Sequence, residues 1–232
     1  MTTIEQNLNL VRHRIASVCA QVQRNPHDVT LLAVSKTFSA EAVREAYAAG
    51  QTAFGENYIQ EAVQKIHALR DLPLEWHCIG PIQSNKSRLV AENFEWVHTV
   101  DRLKIAQRLS EQRPDGLAPL QICIQVNIDG GANKAGVAAQ DVPELARAIR
   151  SLPRLQLRGL MSIPEPAADF AAALAVHDRL KMLFDSLNAA GMELDTLSMG
   201  MSADMDAAIA AGSTMVRVGT AIFGARTAAL QN

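Results

Sequence analysis

A lone lysine follows the first long apolar run of the chain, in the segment LLAVSKTFS. Lys36 stands between the run Val29–Val34 and Ser39, a typical N-cap residue for a helix. A continuous apolar run of this length is typical of a parallel strand covered on both faces. An amine that is desolvated or close to other cations can attack an aldehyde to form a Schiff base. The alternative interpretation is a lysine that extends its charge to the rim of the protein.

Two short segments near the other end of the chain have the composition of phosphate-binding loops. Residues 197–204 read LSMGMSAD, with the Ser202 hydroxyl and flexible backbone N–H groups ahead of a predicted helix. Gly219 and Thr220 form a second glycine turn directly after a strand-like run. Either segment alone is weak, because glycine and serine are common in turns, but together they favour a phosphate site.

Arg217 interrupts the apolar run that precedes this second turn. A guanidinium cannot lose its proton in order to be buried, so it needs an acceptor. One hypothesis supplies a ligand, and the other supplies a salt bridge to Asp204 or Asp206.

The elements that position these residues alternate regularly along the chain. Apolar runs and predicted helices follow one another about eight times, without a linker between them. The runs are Val29–Val34, Thr52–Phe54, Trp76–Ile79, Trp96–Thr99, Leu120–Asn127, Leu155–Met161, Leu197–Met199 and Thr214–Val218. The intervening helices are predicted to begin near Ala40, Asn57, Ser84, Asp101, Asp141, Ala167 and Ser202. This order predicts an α/β fold, a (β/α)8 TIM barrel, with a doubly wound open sheet as the alternative.

An additional amphipathic helix is predicted over residues 1–25, ahead of the first strand. Its apolar residues recur at helical spacing: Ile4, Leu8, Val11, Ile15 and Val18. We expect residues 1–232 to form a single barrel domain that includes this helix.

Barrel closure places the last strand beside the first. The C-terminal strand ends form the face where TIM barrels carry their sites, and the loops after the last two strands commonly bind phosphate. Lys36 is therefore expected beside Arg217 and Gly219. A ligand with both an aldehyde and a phosphate would satisfy all of these residues, and pyridoxal 5′-phosphate (PLP) is such a ligand.

Composition excludes several other classes of protein. The chain has 232 residues, 48% of them hydrophobic, and a formal net charge of −2, so no basic field indicates nucleic acid or anionic lipid. It shows no apolar stretch of transmembrane length and no export signal, so we expect neither membrane insertion nor secretion. Three scattered cysteines favour a reducing cytoplasm, and Cys78 and Cys123 are expected to be inert core residues.

Several long motifs resemble one known family. They are LLAVSKTFS, FGENYIQEAVQK, EWHCIGPIQSNKSRLV, LRGLMSIP and LSMGMSADMDAAIAAGSTMVRVGTAIFGAR. The chain resembles, over essentially its whole length, the family of pyridoxal phosphate homeostasis proteins, which is related to the barrel domain of alanine racemase. The resemblance implies PLP held as an internal aldimine, a cytoplasmic location, and buffering or delivery of the cofactor, with apo PLP-dependent enzymes as acceptors.

The resemblance also implies roles for individual residues. Lys36 would be the aldimine lysine and Arg217 would face the pyridine nitrogen. The other cofactor-binding residues would be Asn57, Met201, Ser202, Gly219 and Thr220, with Gly200 shaping the same loop. Lys134 stands where the racemase has a basic residue near the ring hydroxyl, with a solvated loop lysine as the alternative. His77 and the Ser84–Lys86 segment could also face the barrel mouth, the latter as a second anion site.

Two departures from the racemase argue against catalysis. Lys36 is followed by Thr37 and Phe38, without the tyrosine that the racemase carries shortly after its lysine. The racemase takes its second base from a separate C-terminal domain, and here neither Tyr47 nor Tyr58 is an obvious second base. The sequence therefore favours a PLP carrier with no catalytic residue and no metal site. An amino-acid racemase is the alternative, and a PLP-free Schiff-base aldolase is a weaker one because it leaves Arg217 unexplained.

Overall fold

Parallel strands form the wall of a closed barrel in this protein. The computed structural model describes residues 3–131 and 134–225. The barrel strands are β1 (Thr30–Val34), β2 (Ala53–Glu56), β3 (Glu75–Cys78), β4 (Trp96–Val100), β5 (Leu120–Asn127), β7 (Leu155–Met161), β8 (Thr196–Met201) and β9 (Met215–Val218). A short strand, β6 (Val137–Ala138), pairs with the end of β5 outside this set.

The strand order shows that the sheet is closed. Neighbouring strands follow the order β4, β3, β2, β1, β9, β8, β7, β5, and β4 also pairs with β5. All of these pairs are parallel. The predicted (β/α)8 barrel is therefore confirmed, and the open doubly wound sheet is excluded.

Helices surround the barrel and connect its strands. They are α1 (Ile4–Gln21), α2 (Ala40–Ala48), α3 (Ile59–Ala68), α4 (Ser87–Asn93), α5 (Leu103–Gln112), α6 (Val142–Arg150), α7 (Phe170–Ala189), α8 (Met205–Ala210) and α9 (Thr220–Phe223). Several begin later than predicted, as α7 does at Phe170 rather than Ala167, because the preceding residues belong to loops at the barrel mouth. In the part of the chain described, no helix is both long and apolar enough to cross a bilayer.

The N-terminal helix is shorter than the predicted range 1–25. Thr3 caps α1 through a capping box with Gln6, and the helix ends at Gln21, just before Gln23 adopts a left-handed φ of 56°. Its apolar face is buried as the spacing predicts, and it packs against α2, α8 and α9. The side chain of Asn7 donates to the backbone oxygen of Ile222 at 2.8 Å, which joins the two ends of the described chain.

The core has an outer layer and a smaller cluster inside the barrel. The outer layer lies between strands and helices, whereas the separate cluster consists of Leu32, Val34, Ala53, Ile79 and Met215. Side chains alternate between the two faces of a barrel strand. This alternation places a set of polar residues on the inner face as well: His77, His98, Ser198 and Arg217.

The cysteines are buried free thiols in this core. Burial raises the pKa of Cys78 and of Cys123 to about 12, and neither side chain is exposed. A thiol with so high a pKa is almost entirely protonated at neutral pH, so both residues are poor nucleophiles, as their positions in apolar strands predict.

Candidate functional site

Pairing of the first and last strands brings the two principal candidates together. Leu32 of β1 lies opposite Arg217 of β9, and Ala33 lies opposite Val218. Lys36 follows two residues after the end of β1 and is partly buried. Lys36 and the loop after β9 therefore both lie at the C-terminal face of the barrel, after neighbouring strands.

The backbone on both sides of Lys36 is held by a buried polar cluster. The Ser35 hydroxyl donates to Oε1 of Glu56 at 2.6 Å, and the Ser35 carbonyl accepts from Nζ of Lys65 at 2.7 Å. On the other side, the N–H of Thr37 donates to Oε1 of Glu61 at 2.7 Å. Thr37 has a φ of 68°, a left-handed conformation that is strained for a β-branched residue. These contacts fix the direction in which the chain leaves β1.

Lys65 lies at the centre of this cluster. Its Nζ lies 2.7 Å from Oε1 of Glu56 and 2.7 Å from Oε1 of Glu61, and the residue is only 6% exposed. Burial raises the pKa of Glu56, and the nearby Lys65 ammonium opposes that rise. The sequence analysis did not identify these residues, although a charged Glu56 at the end of an apolar strand was an available signal.

Arg217 is buried among neutral oxygens. Its Nη1 donates to the backbone oxygen and to Oγ of Ser198, both at 2.7 Å, and its Nη2 donates to the backbone oxygen of Ser162 at 2.8 Å. Burial lowers the pKa of Arg217 to about 10, so the group remains charged at neutral pH. Arg217 thus keeps its charge in the barrel with no carboxylate among its hydrogen-bond partners in the described residues.

The salt bridge considered for Arg217 is not formed. Asp204 instead accepts from the N–H of Met201 at 2.7 Å and lies 3.0 Å from Nε2 of His177. Asp206 pairs with Arg14 at 2.8 Å. Both carboxylates therefore have other partners in and around the loop after β8. The predicted salt bridge to Arg217 was wrong.

Polar groups near Arg217 have hydrogen-bonding capacity left over. Three of the five N–H groups of its guanidinium have acceptors in the described residues, which leaves two for another group. Oγ of Ser162, whose backbone oxygen accepts from Arg217, is buried without a hydrogen-bond partner in the described residues, as is Oδ1 of Asn57 after β2. Buried polar atoms are nearly always paired, so the unpaired Ser162 hydroxyl beside Arg217 is a candidate contact for a polar ligand.

The two glycine turns have little room for a side chain. A Cβ on Gly219 would lie 3.1 Å from the carbonyl oxygen of Val34, which shows how closely the β9 loop approaches the end of β1. Gly200 has a φ of 96°, and a Cβ there would lie 2.5 Å from Cβ of Ala208. A side chain at either position would therefore force the neighbouring atoms to shift.

The other residues of these loops that were predicted to bind the cofactor differ in their exposure to solvent. Ser202 is partly buried, Thr220 is exposed, and Met201 is 38% exposed. The carbonyl of Ser202 accepts from Nη1 of Arg14 at 3.0 Å, so α1 supports the loop from outside the barrel.

Two weaker candidates have other environments. Lys134 pairs with Asp129 at 2.7 Å and with Glu165 at 3.1 Å, so its charge is balanced within the loops. Residues Ser84–Lys86 form a single 3₁₀ turn before α4 with no side-chain cap. A turn of three residues is too short to form an anion site at a helix N-terminus.

His77 lies inside the barrel with a second histidine. Its Nδ1 is 2.9 Å from Nε2 of His98, and its Nε2 is 2.9 Å from Oε1 of Glu75. His98 in turn lies 2.8 Å from Oγ of Ser198. Sequence reasoning singled out only His77 of these residues, because two lone histidines on separate strands gave no sign of contact.

Comparison with known proteins agrees with this geometry. Residues 6–227 match the model of the alanine racemase N-terminal domain family. The pyridoxal phosphate homeostasis protein of Pseudomonas aeruginosa is 60% identical over 226 residues, which cover 97% of each chain. The chain belongs to the family of pyridoxal phosphate homeostasis proteins.

Solved structures support the same assignment. PipY of Synechococcus elongatus, solved with PLP bound, has a TM-score of 0.79 and 39% identity over 90% of this chain and 100% of that one. An alanine racemase of Clostridium difficile has a TM-score of 0.77 at 15% identity, over 95% of this chain and 56% of that one. The second likeness shows the shared fold only.

Proposed function

We propose that this protein binds PLP at the mouth of its barrel and serves PLP homeostasis. The name of the Pseudomonas aeruginosa relative and the PLP bound to PipY support the class of ligand. The cofactor would be held as a Schiff base on Lys36 and then buffered or delivered to apo-enzymes. The three free cysteines fit a reducing cytoplasm as the place of action, and residues 1–232 would act as one domain.

The environment of Arg217 is the observation that carries this proposal. A buried guanidinium with two N–H groups to spare lies on the strand beside the one that leads to Lys36. A pyridine nitrogen with a free lone pair is a suitable acceptor for such a donor.

The remaining predicted residues would bind different parts of the ligand. Condensation of the Lys36 amine with the aldehyde forms a C=N bond and releases water. Ser202, Gly219 and Thr220 would hold the phosphate, and Met201 would border it. Asn57, whose buried Oδ1 has no partner in the described residues, would contact the ring.

The same geometry favours a carrier over an enzyme. Bound PLP acts as an electron sink most strongly when its pyridine nitrogen is protonated. Arg217 can only donate, so it would leave that nitrogen unprotonated. Tyr58 is 53% exposed at the start of α3 and Tyr47 lies on α2, which supplies no evident second base for two-base chemistry.

Borohydride reduction of the purified, PLP-loaded protein tests the site. We expect an absorbance band of the Schiff base that disappears on reduction, with the modified peptide mapping to Lys36. Lys36→Ala should abolish the band, whereas Lys86→Ala, which changes a partly buried lysine of another mouth loop, should retain it. Modification of a different lysine, or no uptake of PLP, would contradict the proposal.

The role is tested on the same loaded protein. It should restore activity to an apo PLP-dependent enzyme and should catalyse no solvent deuterium exchange at the α-carbon of amino acids. Adding a phosphatase that destroys free PLP separates direct delivery, which survives it, from release into solution, which does not.

A further inference from the structure

A continuous hydrogen-bond chain crosses the barrel interior and ends at Arg217. It runs from Glu75 on β3 through His77 and His98 to Ser198 on β8. The strands β4 and β8 are not neighbours in the sheet, so the contact between His98 and Ser198 spans the lumen. Both histidines and Ser198 have no exposed surface.

The donor at each step is determined from the arginine end. Arg217 can only donate, so Oγ of Ser198 accepts its N–H at 2.7 Å. The serine hydroxyl has one hydrogen of its own, and in residues 3–131 and 134–225 the remaining partner of this oxygen is Nδ1 of His98. Ser198 has no exposed surface, and a buried hydroxyl hydrogen is nearly always paired, so it donates to Nδ1 of His98, which carries no hydrogen.

The same reasoning continues through both imidazoles. A neutral His98 without a hydrogen on Nδ1 carries it on Nε2 and donates to Nδ1 of His77. His77 then carries its hydrogen on Nε2 and donates to Oε1 of Glu75. Burial lowers the pKa of His77 and holds that of His98 well below its ordinary value, in agreement with two neutral rings.

The carboxylate end requires the same direction. An ionised carboxylate only accepts, and the hydrogen bond with His77 holds the pKa of Glu75 below its ordinary value. The chain therefore has a cation that only donates at one end and an anion that only accepts at the other. Hydrogen bonds aligned in this way polarise one another.

The chain connects the two faces of the barrel. Glu75 is the first residue of β3, its side chain is 48% exposed, and it borders a cleft of about 390 Å³ together with Arg158 and Asp195. Arg217 lies near the opposite, C-terminal end of β9. Trp96 stacks on His77 with ring centroids 5.3 Å apart, which fixes the plane of that imidazole.

We propose that Glu75, His77, His98 and Ser198 are positioning residues that hold the guanidinium of Arg217 in a fixed orientation at the cofactor site. The charge of Glu75 on the far face of the barrel then affects the environment of the ring nitrogen of PLP. This effect on PLP rests on the proposed function, whereas the hydrogen-bond chain from Glu75 to Arg217 does not.

Histidine side-chain NMR of the ligand-free protein tests the chain without any cofactor. Long-range ¹H–¹⁵N spectra should show both His77 and His98 as neutral Nε2–H tautomers at neutral pH. Glu75→Gln replaces the obligatory acceptor by a group that can also donate, so a second tautomer should appear. Asp195→Asn changes a carboxylate of the same cleft that lies outside the chain, and it should leave both tautomers unchanged. A wild-type His98 that is charged or carries its hydrogen on Nδ1 would overturn the proposal.

The coupling to the cofactor is measured on protein loaded with PLP labelled with ¹⁵N in the ring. Glu75→Gln should shift the pyridine ¹⁵N resonance, and Asp195→Asn should not. Ser198→Ala removes the link between Arg217 and His98, so the shift caused by Glu75→Gln should be lost in the double variant.

The outcomes separate the two proposals. An unshifted pyridine resonance in Glu75→Gln, despite altered histidine tautomers, would overturn the coupling. Failure to bind PLP would overturn the proposed function. The histidine tautomers of the ligand-free protein would still test the direction of the hydrogen-bond chain.

Discussion

Two cations are buried near the mouth of this barrel, and their partners differ in kind. Lys65 is 6% exposed and contacts the carboxylates of Glu56 and Glu61. Arg217 is 4% exposed, and in the described residues it donates hydrogen bonds only to serine oxygens. Lys65 and Arg217 are therefore buried to nearly the same extent. They differ because Lys65 contacts carboxylates directly, whereas Arg217 does not in the part of the chain described.

This difference separates a structural cation from one that is available to a ligand. The charge of Lys65 is balanced locally, and its hydrogen bonds hold the backbone next to Lys36. The charge of Arg217 is balanced only at a distance, and two of its N–H groups have no acceptor in the residues described. Burying a charge without a paired carboxylate costs free energy in the folded protein.

Removing each cation should give the largest effect and the clearest contrast. Lys65→Met leaves Glu56 buried without its cation and should lower the free energy of unfolding by about 3–5 kcal/mol. Arg217→Met removes a desolvated charge and leaves neutral oxygens behind, so the loss in the ligand-free protein should be smaller, about 1–3 kcal/mol. Urea unfolding of both variants measures these values.

A double variant controls for the packing of the substituted side chain. Lys65→Met combined with Glu56→Gln removes both charges and should recover much of the lost stability. Equal losses for Lys65→Met and Arg217→Met would show that the two cations are held in the same way, against the comparison.

The two networks should also respond to acid in opposite directions. The folded protein holds the pKa of His77 and of His98 below the ordinary value of 6.5. Stability that is present above that pH is therefore lost as the pH falls toward the folded values, by about 1.4 kcal/mol per pH unit for each histidine. Glu56 has a raised pKa, so its contribution is present at low pH and is lost as the pH rises through the folded value.

Two variants separate these contributions between the ordinary pKa of a glutamate, 4.5, and that of a histidine, 6.5. His98→Gln should make the plot of unfolding free energy against pH flatter, and Glu56→Gln should make it steeper. Slopes that change in the same direction would contradict the assignment of opposite signs.

Sequence patterns were sufficient for the barrel and for the pairing of the strand before Lys36 with the strand that carries Arg217. Alternating strands and helices predict closure, and closure alone brings the two strand ends together. The polar chain in the lumen needed the register of each strand, which shifts within the pairings β4–β5 and β8–β9. Such shifts decide which side chains face inward, and no periodicity in the sequence reports them.

The Asp204 hypothesis failed for a related reason. Sequence proximity to the β8 loop suggested that Asp204 could reach Arg217, but the carboxylate turns back to the N–H of Met201. Local hydrogen bonding of an aspartate within its own loop competes effectively with a distant cation. The loop after β8 is therefore organised from within, and its outer support comes from another cation.

That third cation, Arg14, gives the smallest effect and sharpens the comparison. Its side chain is 42% exposed, and it donates to the carbonyl of Ser202 and to Asp206 from α1. Exposed pairs add little stability, so Arg14→Ala should leave unfolding almost unchanged but raise the PLP dissociation constant about twofold to fivefold, because the loop loses a support. Arg44→Ala breaks a pair of similar exposure with Asp71, away from this loop, and should change neither quantity. Equal affinities for the two variants would show that α1 does not support the loop after β8, and the comparison would then rest on the two buried cations, Lys65 and Arg217.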